Sequence, residues 1–237
     1  MSDHARKPSI ILVHGAWADG SSWAKTIVDL TIRGYDVVAA PLPLSSLTDD
    51  TRALGRVIER ISGPVVLVGH AYAGAVISNI DHDQVVALVF IVGLAPDAGE
   101  SVGDVFFRNP PHPNAPTLSP DDDGRFWLPN DAFRNAFAQD ADENMSAVLS
   151  AVQRPIHAAA IQETLGQPLW KKRPSWYLVA QGDRMISPET QRYVGARMGA
   201  VIHETEADHC PMITSPDDVV SIIRAAAGSV VPRSDSQ

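Results

Sequence analysis

The chain has 237 residues, of which 45% are hydrophobic and 20% charged, a composition typical of one folded domain and not of a disordered chain. Nineteen basic and 28 acidic residues give a net charge of −9, which argues against a nucleic-acid binder, because such proteins need a basic face to meet phosphates. A single cysteine excludes a disulfide framework and a cysteine-rich zinc site.

Targeting and cofactor signals are absent from the sequence. The apolar stretch before His14 is too short for a signal peptide, and the longest apolar run, residues 85–92, is too short to span a bilayer. We therefore expect a cytoplasmic protein that binds neither membranes nor nucleic acid. We also expect no metal and no other cofactor, because metal-ligand spacing, a phosphate loop and a dinucleotide fingerprint are all missing. The sequence leaves oligomer formation open.

Short β-branched runs alternate with helical stretches along the chain. Continuous apolar runs are typical of strands covered on both faces of a parallel sheet, and they predict strands at 9–13, 36–40, 65–68, 85–92, 175–180 and 201–204. Helices are predicted at 21–33, 47–61 and 72–80. Two later helices should begin at Ser187 and Ser215, because each serine precedes a proline and an acidic residue. The pattern predicts an α/β fold with a mainly parallel central sheet flanked by helices.

Residues 96–169, here called the cap segment, interrupt this alternation. Residues 109–120 contain five prolines and should form an extended loop, and residues 130–139 and 142–153 should form short helices. Insertions of this length in an α/β fold commonly serve as lids. We therefore predict a core of residues 1–95 and 170–237 with a helical cap. The alternative is a set of packing helices without a role in substrate binding.

The strand predicted at 65–68 runs into the sequence GHAYAG at residues 69–74, and a helix follows. A strand, a tight turn and a helix form the context of the nucleophile elbow Gly-x-Ser-x-Gly, in which strain lifts the central side chain clear of the sheet. Here Ala73 stands at the second glycine position and Ala71 at the central one. A methyl group cannot be a nucleophile, so the chain as written cannot form an acyl-enzyme.

Four motifs in this order make the chain similar to the α/β-hydrolase superfamily, in particular to its small esterase and hydroxynitrile-lyase-like branch. They are ILVHGAW at 11–17 with SW at 22–23, VGHAYAGAVI at 68–77, QGDR at 181–184 and DH at 208–209. The resemblance covers nearly the whole chain and implies the α/β-hydrolase fold. Similar members carry serine at the position of Ala71, so the resemblance implies a serine hydrolase whose nucleophile has been replaced by alanine.

Asp183 and His209 follow the strands predicted at 175–180 and 201–204, in the order nucleophile, acid, histidine that this fold uses. The resemblance makes Asp183 the acid, which would fix the imidazole tautomer and stabilise the imidazolium. It makes His209 the general base. Asp97, after the strand predicted at 85–92, is the alternative acid, and Asp208 is expected to be structural.

An oxyanion hole is expected from the backbone N–H groups of Ala16 and Tyr72. Backbone donors need no particular side chain, so alanine at position 71 would leave the hole intact. The side chain of His14 is expected to brace the loop that carries Ala16, and His70 is expected to pack beside the elbow.

Three aromatic residues, Trp17, Phe107 and Trp127, are candidates for lining an apolar pocket, although aromatic side chains more often belong to the core. Such a pocket would favour a small apolar or aromatic ester or lactone.

The sequence leaves three functions open. The first is a carboxylesterase-type serine hydrolase in which Ala71 is a deliberate knock-out; we favour it, because a long-abandoned site would be expected to lose its acid and base as well. The second is a natural pseudoenzyme that binds a ligand without cleaving it. The third is a hydroxynitrile-lyase-like enzyme, which the resemblance makes less favourable, since Gly15 and Cys210 stand where those enzymes carry a hydroxyl residue and a lysine. A thioesterase or amidase would use the same triad.

Overall fold

The computed structural model describes residues 7–230. All six predicted strands are confirmed, with ends that shift by at most two residues, and two short strands are added. The strands are β1 (Ser9–Val13), β2 (Val37–Ala40), β3 (Val65–His70), β4 (Val85–Ile91), β5 (Arg125–Phe126), β6 (Ile156–His157), β7 (Ser175–Ala180) and β8 (Val201–Thr205).

The central sheet has six parallel strands in the order β2-β1-β3-β4-β7-β8. Every residue of β1, β3 and β7 is buried, which explains why these strands are continuous apolar runs without alternation. Because all six strands are parallel, their carboxyl ends meet at one edge of the sheet, where sites form in open α/β folds. The fold is the α/β-hydrolase fold that the motifs predicted.

Helices flank the sheet. They are α1 (Ala24–Ile32), α2 (Leu47–Ile58), α3 (Ala73–Asn79), α4 (Val102–Phe106), α5 (Asn130–Ala132), α6 (Glu143–Val152), α7 (Ala158–Gln162), α8 (Pro188–Arg197), α9 (Pro211–Thr214) and α10 (Pro216–Ser229). Two 3-10 turns, Gly20–Trp23 and Leu169–Lys171, and one π-helical turn, Phe133–Phe137, complete the set. No helix within residues 7–230 is long and apolar enough to cross a membrane.

The two predicted caps had different outcomes. Ser187 caps α8, since its hydroxyl accepts a hydrogen bond from the backbone N–H of Thr190 at 3.2 Å. Ser215 precedes α10 as its N-cap residue, so the predicted helix start is confirmed, but its hydroxyl donates to the Asp218 carboxylate at 2.6 Å and accepts nothing from the helix. Ser215 is also the C-cap residue of α9, so this single residue connects the two helices.

The cap segment lies between β4 and β7 and contains α4 to α7. Residues 109–119 are irregular, as predicted. The antiparallel pair of β5 and β6 was missed, because strands of two residues carry no detectable pattern. The predicted helix at 130–139 divides into α5 and the π-helical turn Phe133–Phe137. The division into core and cap stays a prediction.

Candidate active site

The turn after β3 holds Ala71 in a left-handed conformation with φ of 48°, the strained geometry expected of an elbow. Close packing on both sides enforces it. A side-chain carbon at Gly69 would lie 2.8 Å from the carbonyl oxygen of Ala73, and one at Gly74 would lie 2.7 Å from the carbonyl oxygen of Leu94. Only glycine allows these approaches, so the two glycines let β3 and α3 meet at a sharp angle around Ala71.

His209 and Asp183 form a buried pair at the carboxyl ends of β8 and β7. The His209 Nδ1 atom lies 2.8 Å from Asp183 Oδ2, and both side chains are buried. Because a carboxylate can only accept, Nδ1 carries the proton and donates it, which leaves Nε2 of the neutral ring unprotonated. Nε2 has no hydrogen-bond partner among the described residues, and His209 lines the same cavity as Ala71.

Asp183 is fixed by donors on all sides. Its Oδ1 accepts from the backbone N–H groups of Met185 at 2.7 Å and Ile186 at 2.9 Å. Its Oδ2 accepts from Gln191 Nε2 at 2.7 Å in addition to His209. Four donors satisfy the buried carboxylate and hold its orientation toward the imidazole.

Asp97, the alternative acid, has no contact with His209. Its carboxylate pairs with Lys171 and accepts from the backbone N–H of Ala98 at 2.6 Å. It therefore lies outside the site, and of the two candidate acids Asp183 alone is available to orient the base.

The two histidines beside the elbow are structural. His14 Nε2 accepts from the Leu42 N–H at 3.1 Å, and its Nδ1 lies 2.9 Å from the Gly15 carbonyl oxygen, so Nδ1 carries the proton. His70 Nε2 lies 2.8 Å from the His209 carbonyl oxygen and donates to it. Burial lowers the pKa of both rings, which stay neutral. His14 braces its loop as predicted, and His70 braces the loop of His209.

Two residues that line the cavity have backbone N–H groups that are unpaired within residues 7–230. Neither the Ala16 nor the Tyr72 amide has an acceptor among the described residues, and both residues line the cavity with Ala71. The neighbouring Trp17 amide is unavailable, because it donates to the Arg154 carbonyl oxygen at 3.0 Å. A side-chain carbon at Gly15 would lie 3.2 Å from Ala71 Cβ, so the loop of Ala16 sits directly against the elbow.

Tyr72 is anchored by a buried carboxylate that the sequence analysis did not single out. Its hydroxyl donates to Asp50 Oδ2 at 2.6 Å, and the Leu44 N–H donates to Asp50 Oδ1 at 2.7 Å. Asp50 lies on the buried stripe of α2 with Leu47 and Leu54. Burial is the main cause that raises the pKa of Asp50 from 3.8 to about 6.

The Asp50→Asn variant should flatten the pH dependence of stability. Because folded Asp50 holds its proton more tightly than the unfolded chain does, the free energy of unfolding should fall as the pH rises from 3.8 through about 6. Asparagine cannot titrate, so this fall, up to about 3 kcal/mol, should be absent. Urea unfolding at pH 4.5 and 7.5 measures it. Asp49→Asn, at an exposed neighbour, is the control and should retain the fall; an equal fall in Asp50→Asn would contradict the assignment.

Asp208 joins the His209 loop to the cap segment. Its Oδ1 accepts from the Cys210 N–H at 2.9 Å and the Thr214 hydroxyl at 2.8 Å, and its Oδ2 accepts from the Asp140 N–H at 3.0 Å. The side chain is fully buried, and this burial raises its pKa. The structural role expected of Asp208 agrees with these contacts.

The Asp208→Asn variant should therefore lose about 1–3 kcal/mol of stability, because the new amide turns a donor toward N–H groups that need an acceptor. Urea unfolding at constant pH measures the loss. Asp140→Asn keeps its backbone N–H and should be close to neutral. If the two variants were equally stable, the Asp208 carboxylate would not hold the loop.

The π-helical turn Phe133–Phe137 brings Phe137 against His209. The Phe137 ring centroid lies 5.2 Å from that of His209 and 6.3 Å from that of Trp17. Phe137 is fully buried. The turn is tied to the loop of Asp183, because Arg184 Nη1 donates to the Asn135 carbonyl oxygen at 2.8 Å. Single π-helical turns often occur at functional sites.

The cavity above Ala71 has a volume of about 820 Å³. The cap segment forms one side of it and the elbow the other. Most lining side chains are apolar; among them are Val102, Phe106, Leu118, Phe126, Ile156 and Ile161. Within residues 7–230, Asp104 is the only acidic lining residue, and neither lysine nor arginine lines the cavity.

The three aromatic pocket candidates occupy different positions. Trp17 lines the cavity, and its indole Nε1 donates to the Phe126 carbonyl oxygen at 2.9 Å. Phe107 also lines it but is 74% exposed, so it forms the rim. The expectation for Trp127 needs correction: it lies outside the lining, because its indole donates to Asp121 Oδ2 at 2.9 Å and turns half-exposed toward solvent.

Residues 7–230 contain no group of three or more His, Cys, Asp or Glu side chains that could hold a metal ion. Three contacts around the site were not predicted from the sequence: Gln191 with Asp183, Phe137 with His209, and Asp50 with Tyr72. Only Asp50 had a local signal, since a carboxylate on the apolar stripe of an amphipathic helix indicates a buried acid. Gln191 and Phe137 act across tertiary contacts without any motif.

The alpha/beta hydrolase family matches residues 10–222. An alpha/beta hydrolase of Aspergillus novofumigatus is 28% identical over 252 residues, covering 95% of this chain and 98% of that protein. Methylesterase 2 of Arabidopsis thaliana is 26% identical over 249 residues, covering 91% and 94%. Among solved structures, polyneuridine aldehyde esterase superposes with a TM-score of 0.79 at 18% identity, covering 93% of this chain and 99% of that chain.

Proposed function

The chain belongs to the alpha/beta hydrolase family, and we propose that its site binds small, apolar carboxylic esters or lactones and hydrolyses them once a serine stands at position 71. One observation carries this proposal: His209, whose Nδ1 is held by Asp183, shares a cavity with Ala71 and with Ala16 and Tyr72, whose N–H groups have no acceptor within residues 7–230. A base, an oxyanion hole and an elbow are the parts that acyl transfer needs.

In the Ala71→Ser variant the introduced hydroxyl attacks the acyl carbon while His209 Nε2 takes its proton. The carbonyl oxygen becomes an oxyanion and accepts hydrogen bonds from the amides of Ala16 and Tyr72. The imidazolium, stabilised by Asp183, then gives its proton to the departing alkoxide. Water repeats the sequence on the acyl-enzyme, which releases the acid and restores the serine.

The charges of the cavity support a neutral substrate. The wall, as far as residues 7–230 form it, carries Asp104 but no lysine or arginine, so a ligand carboxylate would be buried without a cationic partner. A neutral ester meets apolar side chains instead, and the acid formed by hydrolysis is expelled. Methylesterase 2, a relative at 26% identity, supports an ester as the substrate class.

We attribute Ala71 to the replacement of a serine in a working site. The intact contacts of Asp183 and His209 support this. A site that had long lost its activity would not be expected to retain four donors on one buried carboxylate. The alternative is a natural ligand-binding protein. It predicts tight binding of a neutral ester by the unmodified chain and no turnover after Ala71→Ser.

A hydroxynitrile-lyase-like activity has less support. A side-chain carbon at Gly15 would lie 3.0 Å from the carbonyl oxygen of His70, so a hydroxyl residue there would crowd the loop against the elbow. Cys210 is fully buried, and this burial raises the pKa of its thiol. The experiment that separates hydrolysis from the other functions is turnover of a neutral apolar ester by the Ala71→Ser variant, measured beside an analogue of that ester that carries a free carboxylate.

A further inference from the structure

Alanine at the elbow leaves the base without a hydroxyl to activate. His209 Nε2 has no hydrogen-bond partner among the described residues, and Ala71, which lines the same cavity, offers it only a methyl group. The lone pair is therefore available for a proton on a bound ligand. A serine hydroxyl at position 71 would instead donate to this nitrogen and occupy it.

The rest of the site is suited to a ligand that becomes an oxyanion by losing a proton. The N–H groups of Ala16 and Tyr72 are unpaired within residues 7–230, and both residues line the cavity. Such donors stabilise negative charge on a carbonyl oxygen whether it arises by nucleophilic attack or by formation of an enolate. Asp183 stabilises the imidazolium that forms at the same time.

Two small hydroxyl side chains, those of Ser101 and Thr117, belong to the described part of the lining, and neither is hydrogen-bonded to His209. Ser101 lines the cavity, but its hydroxyl donates to Asp104 Oδ2 at 2.7 Å. Cys210 is fully buried and is not part of the lining. The described residues thus combine one base and two oxyanion donors without a hydroxyl or thiol hydrogen-bonded to the base.

We propose that the chain with Ala71 catalyses proton transfer at the carbon next to a carbonyl group, on apolar ketones or related carbonyl compounds bound in this cavity. His209 Nε2 forms an N–H bond with the α-hydrogen. The C–H electron pair becomes the C=C bond of the enolate, and the carbonyl π pair moves onto oxygen, where Ala16 and Tyr72 hold it. Return of a proton from the imidazolium regenerates the carbonyl compound, so the net result is hydrogen exchange or isomerisation.

The test uses the unmodified chain, 2-tetralone as the probe and heavy water as the solvent. Proton NMR follows the loss of the two hydrogens on the carbon between the aromatic ring and the carbonyl. Because the base approaches from one side only, one of these two enantiotopic hydrogens should exchange faster, which appears as a singly deuterated (CHD) ketone that accumulates before the doubly deuterated one. His209→Ala should slow the protein-catalysed exchange about 10²- to 10⁴-fold. His203→Ala, at an exposed histidine on β8, controls for catalysis by surface imidazole and should have no effect.

Three variants keep the outcome clear. His209→Gln preserves a polar side chain in case His209→Ala unfolds, and thermal midpoints of both are measured. Ala71→Ser should exchange more slowly than the unmodified chain, because its hydroxyl occupies Nε2. Equal exchange of both hydrogens, or exchange by folded His209 variants at the rate of the unmodified chain, would overturn the proposal.

Ester hydrolysis by Ala71→Ser is measured separately, so a failure of the esterase function and a failure of proton transfer are distinguishable.

Discussion

The Ala71→Ser variant is expected to hydrolyse neutral apolar esters about 10⁴- to 10⁶-fold faster than the unmodified chain. The magnitude follows from the cost of removing a triad nucleophile, which is about six orders of magnitude in turnover when every other part is present. The parts are present here: His209 is held by Asp183 at 2.8 Å, and the Ala16 and Tyr72 amides have no acceptor within residues 7–230.

The replacement should not disturb the fold. Ala71 already adopts a φ of 48°, and serine meets the same left-handed strain of about 1–2 kcal/mol as alanine does. The residue lines a cavity of about 820 Å³, so one added oxygen does not overpack it. We therefore expect an unchanged thermal midpoint and a large change in rate.

The measurement is the initial rate of hydrolysis over a panel of neutral aryl and alkyl esters. Ala158→Ser is the matched control, because Ala158 lines the same cavity at a distance in sequence from the elbow, and it should give no gain. Ala71→Ser combined with His209→Ala should lose the gain. If folded Ala71→Ser shows no gain on any ester, the esterase function is wrong, and the ligand-binding alternative takes its place.

The Asp183→Asn replacement, made together with Ala71→Ser, should lower turnover about 10⁴-fold relative to Ala71→Ser alone. The oxygen of the introduced amide would remain with the backbone N–H groups of Met185 and Ile186, which donate at 2.7 and 2.9 Å. The NH₂ group of that amide would then face His209 Nδ1. The imidazole must accept there, which moves its proton to Nε2 and removes the base.

Gln191 adds a second penalty to this variant. Its Nε2 donates both to Asp183 Oδ2 and to the Ile186 carbonyl oxygen, while its Oε1 accepts from the Ala180 N–H. It cannot flip without losing these bonds, so two NH₂ groups would meet in a buried space. We expect about 1–3 kcal/mol of lost stability as well as the kinetic loss.

Steady-state kinetics across pH, with urea unfolding beside them, check both effects. Asp97→Asn is the matched control, since that carboxylate pairs with Lys171 away from His209, and it should retain the rate of Ala71→Ser. An Asp183→Asn variant that keeps most of the activity would contradict the role of Asp183 in orienting the base.

The sequence by itself determined the layers of the fold and the positions of the central residues. Buried parallel strands need continuous apolar runs, and these are visible in a linear chain. The elbow was also visible, because its sharp turn requires small residues at Gly69 and Ala73 beside Ala71. Asp183 and His209 were candidates because each follows a strand of this sheet, and parallel strands bring their carboxyl ends together; the roles of acid and base were what the family resemblance implied.

Only the tertiary structure decided what surrounds these residues. The contacts of Gln191 with Asp183 and of Phe137 with His209 depend on packing between separate elements, and no local period records them. The π-helical turn likewise replaced a predicted helix, and Trp127 turned toward Asp121 and away from the cavity. The physical reason is the distance along the chain over which each feature is determined. Backbone conformation depends mainly on neighbours within a few residues. The partners of a side chain come from distant segments that fill the space beside it and satisfy its polar groups.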